Sequence, residues 1–494
     1  MPQKIYNGTR WKLFFGKYSG IEKFAVDELN KCVQKFVPYL IEVRPSREFT
    51  PELFHAVIAG TIKDNQLIAE MVDKGVISLP TRSGEYSIFS GISPWNSEAR
   101  ILAIAGFDEQ AVLYGVQHIN SILHLEITAE TPKETQEQLN KLRNFVISEY
   151  PRIDNRGIWT WGYVIYDYKR FIDNLARLRM NMLTIWNDCL PHNINEVINY
   201  AHDRGVQIIL GFHWGWGLDW GQKDFILTDA GVREQIKSSV LMNWSQNYKH
   251  ISADGIYFQT ITEHGNTQIG GQSIASAACT LVNQVAGEIL NQRPELYLQF
   301  GIHATSVLDN YTQFKYLDSK VSLVWEDAGV IPYSYNPVTN QSDAGFSKPV
   351  GIDSVDKTIE YSKKLAALRL GCEFAMVPKG WITLRWKEEF ENHGSFILGQ
   401  REHDFIKKRL CERQARWDEV NRLWFMNYKH AQRFYKELLA SKPSRMTVTG
   451  LIEDGMFEEC IQPSVALFSQ MLWNPMCDSK NMLNYAMSPY YKYF

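Results

Sequence analysis

From residue 156 onward the chain repeats one unit: a short β-branched or aromatic run, a loop, then a stretch with helical spacing. Seven such runs read as strands: GIWTW (157–161), NMLTIW (181–186), VQIILGFHW (206–214), GIYFQTI (255–261), LYLQFGI (296–302), VSLVW (321–325) and CEFAMV (372–377). Helical patterns such as DYKRFIDNLARLRM, INEVINYAHDRG and VDKTIEYSKKLAALRLG lie between them. Strands that alternate with helices pair in parallel. Seven or eight successive units over about 250 residues fit a closed (β/α)8 barrel, the TIM barrel, better than an open doubly wound sheet. No GxGxxG or GxxxxGK[ST] loop follows any of these strands, which argues against a nucleotide fold.

The flanking regions differ. Residues 1–150 mix strand-like runs (PYLIEV, FHAVIAGTI, YSIFSG, ARILAIAG) with helical ones (IEKFAVDELNKCVQKF, NQLIAEMVDKG, EQAVLYGVQHINSIL) and predict an N-terminal α+β domain. The barrel is expected over 151–400. Residues 401–494 open with a long charged helical segment and predict a C-terminal helical appendage.

Composition narrows the function classes. The 494 residues are 45% hydrophobic and 22% charged, with a formal net charge of -3. No Lys/Arg block stands out, so nucleic acid is not an expected partner. No apolar run of about 18 residues occurs, so no membrane span is expected. The start lacks the apolar core of a secretory signal, which predicts a cytoplasmic protein as written, or a periplasmic one if a signal was trimmed. The seven cysteines form no CxxC pair and read as reduced thiols. Of the fifteen tryptophans, seven fall in three short clusters, WTWG, HWGWGLDWG and KGWITLRW. Gly-Trp-Gly segments are poor helix or strand interiors and read as loops that present aromatic faces.

Candidate site residues come from strand parity. Barrel active sites lie at the C-terminal strand ends, and strand side chains alternate between the interior and the helix layer. In the fourth strand Tyr257, Gln259, Ile261 and Glu263 share one face. Tyr297, Gln299, Gly301 and His303 do so in the fifth, Gln207, Ile209, Gly211 and His213 in the third, and Ser322, Val324 and Glu326 in the sixth. Glu263, His213, His303 and Glu326 therefore converge at the top of the interior. Asn187 and Asp188 follow the second strand, and Asp327 follows Glu326.

Two carboxylates across a cleft with tryptophan faces nearby suit glycoside hydrolysis, in which one carboxyl protonates the leaving oxygen and the other acts as base or nucleophile. Glu263 is the candidate acid, with Glu326 or Asp327 as its partner. His213, His264 and His303 would orient sugar hydroxyls or tune the carboxylates, and Trp214, Trp216 and Trp325 would serve as platforms for sugar faces. A competing metal site would draw on His213, Glu263, His264 and His303. No HxH or HExxH spacing supports it, so no metal or other cofactor is expected.

HAVIAGTIKDNQLIAEMVDKGVI and the Leu-Tyr-Gly-Val of 113–116 resemble the small α+β domain that precedes the barrel in β-hexosaminidases and in the α-glucuronidases of families 67 and 115. PRIDNRGIWTW, LARLRMNMLTIWND and VSLVWEDAGVIPYSYNP are similar to barrel segments of those families, and TEHGN stands where family 67 carries its general acid. The resemblance covers roughly residues 50–340. It implies a glycosidase with Glu263 as acid, and an α-glucuronidase-like enzyme would place Lys379 and Arg385 near a sugar carboxylate. The hexosaminidases carry Asp just before the catalytic Glu, where this chain has Thr262. A β-N-acetylhexosaminidase and a non-catalytic glycan-binding protein are the alternatives. The expected partners are an oligosaccharide or polysaccharide substrate and, as an option, a second copy in a homodimer.

Overall fold

The computed structural model describes residues 9–51, 54–127, 138–187, 189–212, 214, 227–259, 267–269, 271–302, 307–326, 354–381, 394–453 and 458–493.

Eight strands form a closed parallel barrel: Asn155–Trp161, Met182–Trp186, Gln207–Gly211, Gly255–Gln259, Tyr297–Ile302, Val321–Trp325, Glu373–Met376 and Arg445–Leu451. The eighth pairs with both the seventh and the first and completes the circle. This is the TIM barrel that the alternation predicts.

One boundary moves. The barrel does not end near residue 400, because its last strand is Arg445–Leu451. The 38-residue helix His403–Ala440, expected as part of an appendage, is instead the connection into that strand. Its apolar stripe, with Ile406, Trp417, Val420, Trp424 and Leu438 buried, packs on the barrel wall. The C-terminal helical region proper begins later, with helices Pro463–Trp473 and Ser479–Ala486.

The N-terminal domain is a six-stranded sheet in the order Glu42–Pro45, Trp11–Phe15, His55–Thr61, Arg100–Gly106, Tyr86–Ile92, Phe145–Glu149. The first four run parallel, and Tyr86–Ile92 pairs antiparallel with both of its neighbours. Helices Gly20–Gln34 and Glu109–Glu126 cover one face and helix Gln66–Asp73 the other, which makes two apolar layers. Asp108 and Asn65 start the last two of these helices by accepting from Ala111 N and Leu67 N, at 2.8 and 3.0 Å.

Buried charge joins this domain to the barrel. Arg177, on the helix after the first barrel strand, donates to Glu28 at 2.8 and 3.0 Å. Tyr490, near the C-terminus, donates to Glu28 and Gln117 at 3.2 and 2.5 Å. Arg179 donates to Gln470, lies 4.2 Å above the Trp473 ring and is 3.8 Å from Glu149. The segment 463–493 is therefore wedged between domain and barrel. All seven cysteines are free, and no described helix is long and apolar enough to cross a membrane.

Candidate active site

The barrel interior is filled by one parity of each strand. Trp159, Trp186, Ile209, Tyr257, Val324, Ala375, Val377 and Leu451 pack together there. The faces predicted for the third to sixth strands are the observed ones at Ile209, Tyr257 and Val324. Side chains of the opposite parity, such as Ile256, Phe258 and Leu323, join the layer beneath the helices.

The N-terminal end of this interior is closed by a polar plug. Tyr297 donates to Glu373 at 2.5 Å, Thr447 also donates to Glu373, and Asn155 donates to Thr447 at 2.9 Å. Burial pushes the Glu373 carboxyl above its ordinary value. The upper interior is aromatic instead. The Trp159 and Trp186 rings stack 5.9 Å apart, and Tyr257 meets both edge-on at 5.8 and 5.9 Å. Trp161, one step higher on the first strand, packs against both indoles and remains half-buried.

Above this floor stand three ionisable side chains from neighbouring strands. Glu326 ends the sixth strand, follows the parity of Val324 and is 6% exposed. Lys379, two residues past interior Val377 on the seventh strand, is 9% exposed. Glu453, two residues past interior Leu451 on the eighth, is 1% exposed. Backbone bonds hold the three strand ends level: Val377 N donates to Trp325 O at 2.8 Å, Leu451 N to Pro378 O at 2.9 Å, and Ile452 N to Trp159 O at 3.0 Å. Charges are kept this dry only where other charges, hydrogen bonds or a ligand answer them.

Gly301 makes room for the first of these. A β-carbon at this position would lie 2.3 Å from the Tyr257 hydroxyl oxygen and 2.5 Å from Glu326 Oε1. The missing side chain thus brings a phenol and a carboxylate to one spot. The Tyr257 hydroxyl is buried and makes no hydrogen bond among the described residues. On the second strand Asn187 is 3% exposed, and its Oδ1 lies 2.0 Å from where a Gly162 β-carbon would stand.

Of the predicted site residues, Asn187, Glu326 and Lys379 are brought to this end of the barrel. Two predictions need correction. Trp214 is fully buried and stacked 3.5 Å from Phe258, in the layer beneath the helices. Trp325 is also fully buried and meets Tyr361 edge-on at 5.1 Å in the same layer. Neither offers a ring face to a sugar, because each follows the outward parity. Glu263, Asp327, Asp188, His213, Trp216, His264, His303 and Arg385 lie outside the described residues, and so does the whole weighed metal set. Among the described residues no cluster of three metal-ligating side chains occurs. The sequence reading missed Glu453 and the floor of Trp159, Trp161 and Trp186, and it gave Tyr257 the interior face but no role at the site. Parity along NRGIWTW would have found two of the three indoles, since Trp159 and Trp161 alternate with Ile158 and Thr160.

The chain matches no family model and no curated protein. Among solved structures, CpGH89 from Clostridium perfringens, in complex with its substrate GlcNAc-alpha-1,4-galactose, is similar over 92% of this chain and 48% of its own, with 9% identity and a TM-score of 0.39. A β-galactosidase from Marinomonas ef1 covers 67% of this chain and 62% of its own, with 7% identity and a TM-score of 0.38. The catalytic domain of the major endoglucanase from Xanthomonas campestris pv. campestris covers 65% and 98%, with 11% identity and a TM-score of 0.34. Scores this low decide nothing about activity, and the barrel stands on its own closed strand order.

Proposed function

We propose that the chain is a glycoside hydrolase whose reaction takes place at the C-terminal mouth of the barrel. The observation that carries this reading is Glu326: a carboxylate 6% exposed, on the interior parity, above a floor of indole and phenol rings. Sugars present C–H faces that pack on such rings, while a dry carboxylate beside them can act on the glycosidic bond. Glu263 is the proposed acid, with Glu326 or Asp327 as base or nucleophile. Asn187, Asp188 and the histidines 213, 264 and 303 would hold hydroxyls, and Trp216 would add a ring face.

The finer reading is α-glucuronidase-like, and Lys379 supports it. An ammonium held 9% exposed at the mouth suits the carboxylate of a terminal uronate, with Arg385 as its proposed companion. The test is a panel of aryl uronides, aryl hexosides and aryl N-acetylhexosaminides, with the Glu326→Gln variant in parallel. Hydrolysis of the uronides, with rates reduced ~10²–10⁴-fold in the variant, is the expected result. Turnover of N-acetylhexosaminides alone would favour the hexosaminidase alternative. Glycan binding without turnover of any member would replace the enzyme reading by a binding protein.

A further inference from the structure

The opposite end of the barrel carries a second feature. A cavity of about 780 Å³ lies where the N-terminal domain meets the N-terminal mouth of the barrel. Its walls include Arg82, Tyr150, Arg152, Asp154, Arg156 and Arg445. Four of these six side chains are guanidinium groups, and one is acidic.

The arginines are poorly matched by carboxylates. Tyr150 holds two of them against its ring, with the Arg82 and Arg152 guanidinium carbons 4.3 and 3.9 Å from the ring centroid. Two like charges on one ring repel each other, and a nearby anion relieves that repulsion. One edge of the Arg152 guanidinium donates to the Tyr150 hydroxyl, and stacking of this kind leaves the other in-plane N–H groups pointing away from the ring. Arg82 has an acid nearby, Glu85, but only at 3.8 Å, and that carboxylate already accepts from Thr81 N, Thr81 Oγ1 and Arg82 N. Arg156 is 1% exposed, and its bonds run to neutral oxygens only: the carbonyls of Ile153, Asp154 and Arg179 and the Tyr114 hydroxyl. Arg445 donates to the Asn155 amide oxygen at 3.1 Å. The one acid of the wall, Asp154, accepts from Met446 N at 2.9 Å. A concave wall with this imbalance concentrates positive potential inside the cavity.

We infer that this cavity is a binding site for an oxyanion carried on a small polar molecule, held by the forked donors of Arg82 and Arg152 with Arg445 opposite. Planar carboxylates and tetrahedral phosphates or sulfates both match such forks. The site lies at the other end of the barrel from Glu326, so it is separate from the proposed reaction centre and does not depend on that reading.

The experiment is calorimetric titration of the full chain at low ionic strength with sodium phosphate, sodium sulfate, trigalacturonate and, as a neutral control, maltotriose. Saturable binding of at least one anion, weakened by added salt and absent for maltotriose, is expected. Arg82→Ala/Arg152→Ala should weaken it at least ~10-fold. Both side chains are exposed, so the fold should survive, and Arg445→Gln gives an independent variant that should also bind more weakly. A preference for phosphate would identify a phosphorylated ligand, and a preference for trigalacturonate an acidic glycan. No binding of any anion, binding equal to that of maltotriose, or binding unchanged in both variants would overturn the inference.

Discussion

The Arg177 guanidinium donates twice to the Glu28 carboxylate across the junction between the N-terminal domain and the barrel, at 2.8 and 3.0 Å, and both side chains are buried. Burial alone would raise the Glu28 carboxyl. The hydrogen bonds and charge of Arg177 outweigh it and hold that carboxyl below its ordinary value. Removing Glu28 strands the Arg177 charge in a dry interior, and removing Arg177 leaves Glu28 with only the exposed Lys31 ammonium, at 3.1 Å, as a cation. Glu28→Ala or Arg177→Ala should therefore cost ~3–5 kcal/mol of stability, read by denaturant unfolding. A loss under 1 kcal/mol would mean that water reaches the junction.

Glu453 is expected to matter at the mouth even though it lies outside the proposed acid–base pair. It is 1% exposed, on the interior parity of the eighth strand, beside the half-buried Trp161 of the first. A carboxylate in that position can accept bonds from sugar hydroxyls. On the proposed function, Glu453→Gln should raise KM more than it lowers kcat, whereas Glu326→Gln should act mainly on kcat. Equal effects on kcat would place both carboxylates in the chemistry.

Gly301 should tolerate no side chain. A β-carbon there would meet the Tyr257 hydroxyl and Glu326 Oε1 at 2.3 and 2.5 Å. Gly301→Ala should cost ~1–3 kcal/mol through overpacking and should displace the carboxylate. The expected signature is activity that falls further than the melting temperature accounts for. Unchanged activity would show that Glu326 works from another rotamer or does not work at all.

Glu22 should give the N-terminal domain a pH dependence. It is fully buried, and its Oε2 makes no hydrogen bond among the described residues. Burial, with help from the charges of Asp64 and Glu109, pushes its carboxyl up to about 7. Between the ordinary value of 4.5 and about 7 the folded state holds a proton that the unfolded state has lost. Stability should therefore fall as pH rises through that window, by on the order of 3 kcal/mol in total. Glu22→Gln should remove the slope and be the more stable protein at pH 8, as read by thermal unfolding against pH. A slope that persists in the variant would assign it to another group, such as Glu373.

The barrel and the faces of its strands were legible because the pleat fixes alternation: once GIYFQ is read as a strand, Tyr257 and Phe258 must point opposite ways. The eighth strand was not legible. RMTVTGL follows a helix of 38 residues whose charge pattern reads as the end of a fold. Glu453 was lost with it, since LIEDG taken alone reads as a turn. Trp214 and Trp325 show the limit of counting aromatic residues, because a ring in a glycine-rich or acidic neighbourhood can still lie beneath a helix. The contacts of the C-terminal segment were beyond any local pattern. Tyr490 meets a partner 462 residues earlier, and no periodicity encodes that distance.

That last contact bears on how the chain reaches its native state on the ribosome. Helix Gly20–Gln34 emerges early, yet the hydroxyl that completes the surroundings of Glu28 belongs to a residue synthesised 462 positions later. Contacts so far apart in sequence carry a large loop-closure entropy and slow the approach to the native topology. At a translation speed of ~5–20 residues per second, helix Gly20–Gln34 would wait on the order of half a minute or more for Tyr490. During that interval its barrel-facing surface, including the Glu28 charge, is open to solvent and to chaperones.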